Sequence, residues 1–245
     1  MEIEIILSPK LFEGRILQDN ITVVAVDILR ATTSICAAFQ AGVEEVVPLN
    51  SLDPLASFYK RGYTVAAERG GAKIVVEGVP ASCGNSPTEY LAMDLNGQRL
   101  AYSTTNGTVS LLLAAPHAER LFVGSFSNLS ALSQHLMASQ TQNLVILCSG
   151  WKGDPCIEDT LFAGALVDRI LGSSPSAVLV NDAALYAVDL WNLAKDDLYA
   201  FCSKATHVHR LQKMNYDHDI RMALKLDTCP VVPQWVEGEK LSLVK

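Results

Sequence analysis

Hydrophobic and polar positions follow two periods along this chain, and the switches between them predict its elements. Met1-Glu-Ile-Glu-Ile-Ile-Leu alternates acid and apolar residues and reads as a strand. Val23 to Leu29 is apolar apart from Asp27. Arg30-Ala-Thr-Thr then opens a helix whose Ile35, Ala38, Phe39 and Gly42 fall at i, i+3, i+4 and i+7. A strand at 43–49, a cap at 50–53, a short helix and a strand at 63–68 follow. The same order returns with a strand at 99–104, the turn Thr105-Asn-Gly-Thr and a helix carrying Val109, Leu112 and Leu113. A strand at 118–124, Ser125-Phe-Ser-Asn, a helix and a strand at 143–149 complete it. An offset of 75 residues sets Thr33 on Thr108, Glu45 on Arg120 and Asp53 on Asn128.

Beyond Pro155 the pattern turns helical, at 160–171, 182–194 and 215–226, with a stop at Gly172-Ser-Ser-Pro. Val231–Val236 and Leu241–Val244, joined by Glu237-Gly-Glu-Lys, read as a terminal hairpin. Strands alternating with helices demand parallel pairing with helices on the faces. The expected fold is therefore α/β, a three-layer α/β/α arrangement with two similar βαβαβ halves, about 22–70 and 99–150, in a largely parallel sheet. A helical part over 156–245 ends in the hairpin. No Pro/Ser-rich linker divides the chain, so 1–245 reads as one domain.

Composition narrows the function classes. The 245 residues are 49% hydrophobic and 18% charged, as in a globular protein. No apolar run approaches the ~20 residues of a membrane span, and the N-terminus lacks the basic start of a signal peptide. A cytoplasmic protein is expected, with no membrane partner. The six cysteines are scattered without a C-x-x-C pair and read as reduced thiols packed as small apolar groups. A net charge of -7 without a basic tract argues against nucleic acid. No Gly-rich dinucleotide or P-loop string stands at a strand–helix turn. An anionic small molecule stays open, since a few local cations and a metal reverse the sign inside one cleft.

Ligands of open α/β sheets collect outside the carboxyl ends of the strands. There the chain places Asp27, Arg30, Thr32 and Thr33, then Glu68 and Arg69, then Asn85, then Asn106 and Thr108, and finally Lys152, Glu158 and Asp159. Thr32, Thr33 and Thr108 stand at helix starts, which attract anions. Arg30 and Arg69 offer paired N–H donors, and Lys152 a point charge. Asp27, Glu68, Glu158 and Asp159 are oxygen donors suited to Mg²⁺. Each string also has a purely structural use: Thr as a helix cap, Asn-Gly as a turn, Glu68-Arg69 as a surface ion pair, Glu158-Asp159 as acids complementing a helix dipole. What favours chemistry is that four such loops fall where strands end.

Val26-Asp-Ile-Leu-Arg-Ala-Thr-Thr-Ser-Ile, Glu68-Arg-Gly-Gly, Gly84-Asn-Ser-Pro-Thr-Glu-Tyr, Ser103-Thr-Thr-Asn-Gly-Thr, Cys148-Ser-Gly and Glu158-Asp159 with Ala163-Gly164 resemble strings of the 2-phosphosulfolactate phosphatase family. So does the stretch from His207 to Pro233. The resemblance implies an α/β/α fold, a Mg²⁺ requirement, and hydrolysis of 2-phosphosulfolactate to sulfolactate and phosphate, a step toward coenzyme M. Carried onto this chain, it implies Asp27, Glu68 and Asp159 as catalytic, with Glu158 among the metal ligands. Arg30, Thr32, Thr33, Arg69, Asn85 and Asn106, with Lys152 beside them, are then expected to hold the small anionic phosphorylated substrate. The acid that activates water, and the choice between direct water attack and an Asp27 phospho-enzyme, stay open. Where the family has His-Gly, this chain has His207-Val208; His207 and His209 read as surface histidines. A homodimer is a further expectation.

Overall fold

The computed structural model describes residues 1–15, 19–79 and 83–244. The alternating N-terminus forms β1 (Glu2–Ile6), and the apolar run that ends before Asp27 forms β2 (Ile21–Val26), buried at every position. A strand with no solvent face has no reason to alternate. The remaining strands are β3 (Glu45–Leu49), β4 (Thr64–Arg69), β5 (Ala72–Lys73), β6 (Arg99–Ser103), β7 (Arg120–Gly124), β8 (Asn143–Cys148), β9 (Val178–Leu179), β10 (Pro233–Val236) and β11 (Lys240–Leu243). The helices are α1 (Pro9–Phe12), α2 (Ala31–Gln40), α3 (Leu55–Lys60), α4 (Pro87–Leu91), α5 (Gly107–Ala114), α6 (Leu129–Ala138), α7 (Ile157–Ser173), α8 (Asp182–Ala194), α9 (Leu198–Cys202), α10 (Thr206–Lys213) and α11 (Asp217–Ala223).

The described strands form one sheet in the order β5-β4-β6-β3-β11-β10-β7-β2-β8-β1-β9. Pairing is parallel within β7-β2-β8-β1-β9 and within β3-β6-β4. The terminal hairpin is antiparallel and sits between these blocks, touching β7 at Gln234–Phe122 and β3 at Leu241–Val46. It joins the sheet where the sequence suggested only a C-terminal appendage. The two repeats are also interleaved: β2 lies between β7 and β8, while β6 lies between β3 and β4. Each repeat gives its opening strand to the other block.

Three apolar clusters hold the layers. Val23 and Ala25 of β2, Val46 of β3 and Leu100 and Tyr102 of β6 pack with Ile35 and Phe39 of α2 and Leu111 of α5. On the opposite face Val24, Phe122 and Ile146 meet Leu132 of α6, Phe162 and Leu166 of α7 and Trp191 of α8. Val65, Ala67 and Ala101 meet Leu55 of α3. Nine of the ten residues of α2 are buried, which accounts for its run of Ala, Thr, Ser and Cys. Close packing also fixes Gly164, where an added Cβ would lie 2.0 Å from the Ala187 carbonyl oxygen of α8.

Where the periodicity marks an element, its boundaries agree to within a few residues, the 215–226 pattern contracting to α11. α1, α4, β5, β9, α9 and α10 fall where it marks none. No side chain of 50–53 caps α3, whose N-cap position is Pro54. Ser125 and Asn128 do form a reciprocal cap. Lys245 lies outside the described residues. Among the described residues no helix is long and apolar enough to cross a membrane.

Candidate active site

The two parallel blocks run in opposite senses, yet the loops after β2 and β6 touch. An added Cβ on Gly107, the first residue of α5, would lie 2.8 Å from Asp27 Oδ2 and 2.3 Å from the Ala31 Cβ. Around this contact Asp27, Arg30, Glu68, Asn85, Thr105 and Asn106 line one small cavity of about 20 Å³, closed on its other side by Trp151, His207 and Arg210.

Four acids are buried here. Asp27 follows β2, and its main-chain N–H and carbonyl are both engaged by the Thr32 hydroxyl, at 3.0 and 2.9 Å. Among the described residues its carboxylate receives only a long bond from Ala31 N–H, 3.4 Å. Burial raises Asp27 to about 6; the charges of Glu68 and Glu158 add to this, and His207 and the Ala31 N–H oppose it. Glu68 accepts from Gly71 N–H, from Thr105 N–H at 3.1 Å and from the Thr105 hydroxyl at 2.9 Å, tying the β4 loop to the β6 loop. Asp159 accepts from Ile28 N–H and Gly150 N–H, both at 2.9 Å, tying the β2 loop to the β8 loop. Burial, then Asp27 and Glu158, push Asp159 well above the ordinary carboxylate range. Glu158 meets His207 Nδ1 through Oε1 at 2.7 Å, and its buried Oε2 has no hydrogen-bond partner among the described residues.

Of the expected anion-holding groups, Arg30, Asn85 and Asn106 line the cavity. Arg30 is already anchored: Nη1 donates to Asp219 at 2.8 Å, Nη2 to the Gly71 carbonyl at 2.6 Å, and the guanidinium lies 3.8 Å from the Tyr216 ring centroid. Asn85 accepts from the Tyr102 hydroxyl. The structure does not bring the others to this cavity. Thr32 is spent on Asp27, and the Thr33 hydroxyl donates to the Ile28 carbonyl at 2.9 Å. Arg69 donates to the Glu68 carbonyl at 2.6 Å and to Ser103 Oγ at 2.9 Å. The exposed Lys152 has a positive φ of 54° and sends its ammonium over the Trp151 ring, 5.6 Å from the centroid.

Three participants escaped the sequence reading. His207 is 8% exposed, where a surface histidine was expected, and it stacks on Trp151 at a 5.1 Å centroid distance. Arg210, one turn further along α10, donates to the Gly70 carbonyl and lies 4.2 Å from the Trp151 centroid. Asp219, on α11, accepts from Arg30, 189 residues earlier in the chain. A helix read over 206–213 would have set His207, Arg210 and Leu211 on one face.

The donor set fits a hard divalent cation. Burial with the charge of Glu158 raises the cost of ionising both Asp27 and Asp159, and Glu158 Oε2 is an oxygen with an unspent lone pair. Asp27 and Glu158 are the acids freest to ligate, since Glu68 and Asp159 use both oxygens on loop donors. Cys156, Glu158 and His207 also bring ligand atoms within 4.8 Å of one another. Burial pushes the Cys156 thiol far above its ordinary range, so oxygen donors dominate.

Comparison with known proteins shows the family. The family model described as 2-phosphosulpholactate phosphatase matches residues 6–238. A probable 2-phosphosulfolactate phosphatase of Prochlorococcus marinus is 38% identical, covering 86% of this chain and 88% of the relative. One from a Synechococcus strain is 36% identical over 90% of this chain and 91% of its own length. One from Microcystis aeruginosa is 31% identical over the full length of both. The chain belongs to the 2-phosphosulfolactate phosphatase family.

Proposed function

We propose that the protein is a Mg²⁺-dependent phosphatase that hydrolyses 2-phosphosulfolactate to sulfolactate and phosphate. The observation that carries this reading is the meeting of Asp27, Glu68, Arg30, His207 and Arg210 around one cavity, with Glu158 behind His207. A phosphate ester that also bears sulfonate and carboxylate needs cations for its charge and acids for proton transfer and metal binding.

Arg30, held by Asp219, presents a fixed guanidinium to the ester, and Arg210 adds a second from α10. Asp27 takes the proton of the attacking water as the water oxygen bonds to phosphorus. The bond from phosphorus to the sulfolactate oxygen breaks, and that oxygen takes a proton from His207 Nε2. Glu158 orients His207 through Nδ1 and keeps Nε2 toward the cavity. Glu158 Oε2 and Asp27 would hold Mg²⁺, which supplies Lewis-acid stabilisation of charge on the phosphoryl oxygens.

The test is phosphate release from 2-phosphosulfolactate, measured beside its unsulfonated analogue, 2-phospholactate. Turnover should vanish with chelator, return with Mg²⁺ and favour the sulfonated ester by roughly tenfold or more. Equal turnover of both esters would shift the assignment to another phosphorylated hydroxy acid. No release from either would leave a non-catalytic anion binder.

A further inference from the structure

A separate cleft opens between α2, α4 and α11, with a volume of about 450 Å³. That is the size of a site for a small organic molecule. Ala37, Leu91 and Met222 give it an apolar floor, and His218, Arg221 and Lys225 stand along one side. No acid among the described residues lines it, although the chain holds 26 acids against 19 Lys and Arg. Part of the positive charge is already met, because Arg221 Nε pairs with Asp217 at 2.7 Å and His218 Nε2 lies 3.4 Å from Asp219 Oδ1. Lys225 has no acidic partner among the described residues, and the Gln40 and Thr228 side chains hydrogen-bond to no other described residue.

We propose that this cleft is a second ligand site, which takes a small amphipathic anion. Its carboxylate or sulfonate meets Lys225 and the donors of Gln40 and Thr228, and its apolar body lies on Ala37, Leu91 and Met222. One uncompensated cation suits a single negative group rather than a polyphosphate. The lining holds no Phe, Tyr or Trp, which disfavours a nucleobase. The cleft stands back to back with the catalytic cavity: Thr88 lines the cleft and donates at 2.8 Å to Asp219, the partner of Arg30.

The test uses the full chain and 8-anilinonaphthalene-1-sulfonate, whose fluorescence rises on burial, with octanoate as competitor. One probe per chain should bind, and octanoate should displace it. Lys225→Glu should weaken it by about tenfold, as losing one charge-assisted contact does. Thr228→Trp, filling the cleft from its exposed rim, should abolish binding, with circular dichroism confirming the fold of each variant. Millimolar phosphate, a ligand for the other cavity, should leave the probe in place. Equal binding by both variants, or displacement by phosphate, would overturn the proposal.

Discussion

Arg30 Nη1 and Asp219 Oδ2 lie 2.8 Å apart with side chains 2% and 0% exposed, joining the loop after β2 to α11. Asp219 Oδ1 also accepts from the hydroxyls of Ser86 and Thr88, at 2.7 and 2.8 Å. Removing the acid leaves a buried guanidinium with one carbonyl partner, a loss of about 3–5 kcal/mol where such pairs are broken. Asp219→Ala is expected to lower the urea midpoint accordingly. Asp219→Asn, which keeps the shape, should fold and raise KM for the phosphate ester with a smaller effect on kcat. An unchanged KM would show that Asp219 does not position Arg30 for substrate.

Asp27 should trade stability for activity. Its pKa is near 6 in the fold against 3.8 for the free side chain, so the folded protein binds the proton more tightly. Stability from this group is therefore full below about pH 4 and lost as pH rises through 6. Asp27→Asn should raise the melting temperature at pH 7.5, by up to about 3 kcal/mol in free energy, and the gain should fade toward pH 4. Turnover should disappear at the same time. Calorimetry at several pH values, without added metal, decides it: a variant less stable at pH 7.5 would contradict the assigned burial cost.

The role of His207 is separable from that of its neighbours by leaving group. His207→Gln should lower kcat for an alkyl phosphate by about 10²–10⁴-fold, the usual worth of a positioned acid. 4-Nitrophenyl phosphate departs as a stable anion and needs no such proton, so the loss with it should be much smaller. Equal losses with both esters would assign His207 to structure alone.

Gly107 is the tightest point between the two loops. A methyl there would meet Ala31 Cβ at 2.3 Å and Asp27 Oδ2 at 2.8 Å. Gly107→Ala should cost about 1–3 kcal/mol through overpacking and depress kcat by displacing Asp27. Wild-type kcat in a folded Gly107→Ala protein would show that the contact is slack.

The parts of the site legible in the sequence were those tied to strand ends. Periodicity sets Asp27, Arg30, Glu68 and Asn106 after strands, and the resemblance to a family adds Asn85, from the loop before the second repeat. Three kinds of information were out of reach. Direction is one: Thr33 and Arg69 stand at the right loops, but their side chains turn to local carbonyls. Long-range pairing is another, since nothing near Arg30 or Asp219 announces a partner 189 positions away. Division of labour is the third. Glu68 and Asp159 look like ligands by residue type, and only geometry shows both oxygens taken by loop N–H and hydroxyl groups. In the fold, strand and helix order was readable, while the interleaving of β2 and β6 was not, because burial pattern carries no record of which neighbour a strand chooses.

That interleaving makes the two repeats mutually dependent. A fragment ending near residue 95 would hold β3 and β4 without the strand that fills the gap between them, and β2 without either flank. The buried acids Asp27 and Glu68 belong to one repeat, yet each lies at the end of a strand that pairs with strands of the other. Neither repeat, expressed apart, has a complete block in which to house them.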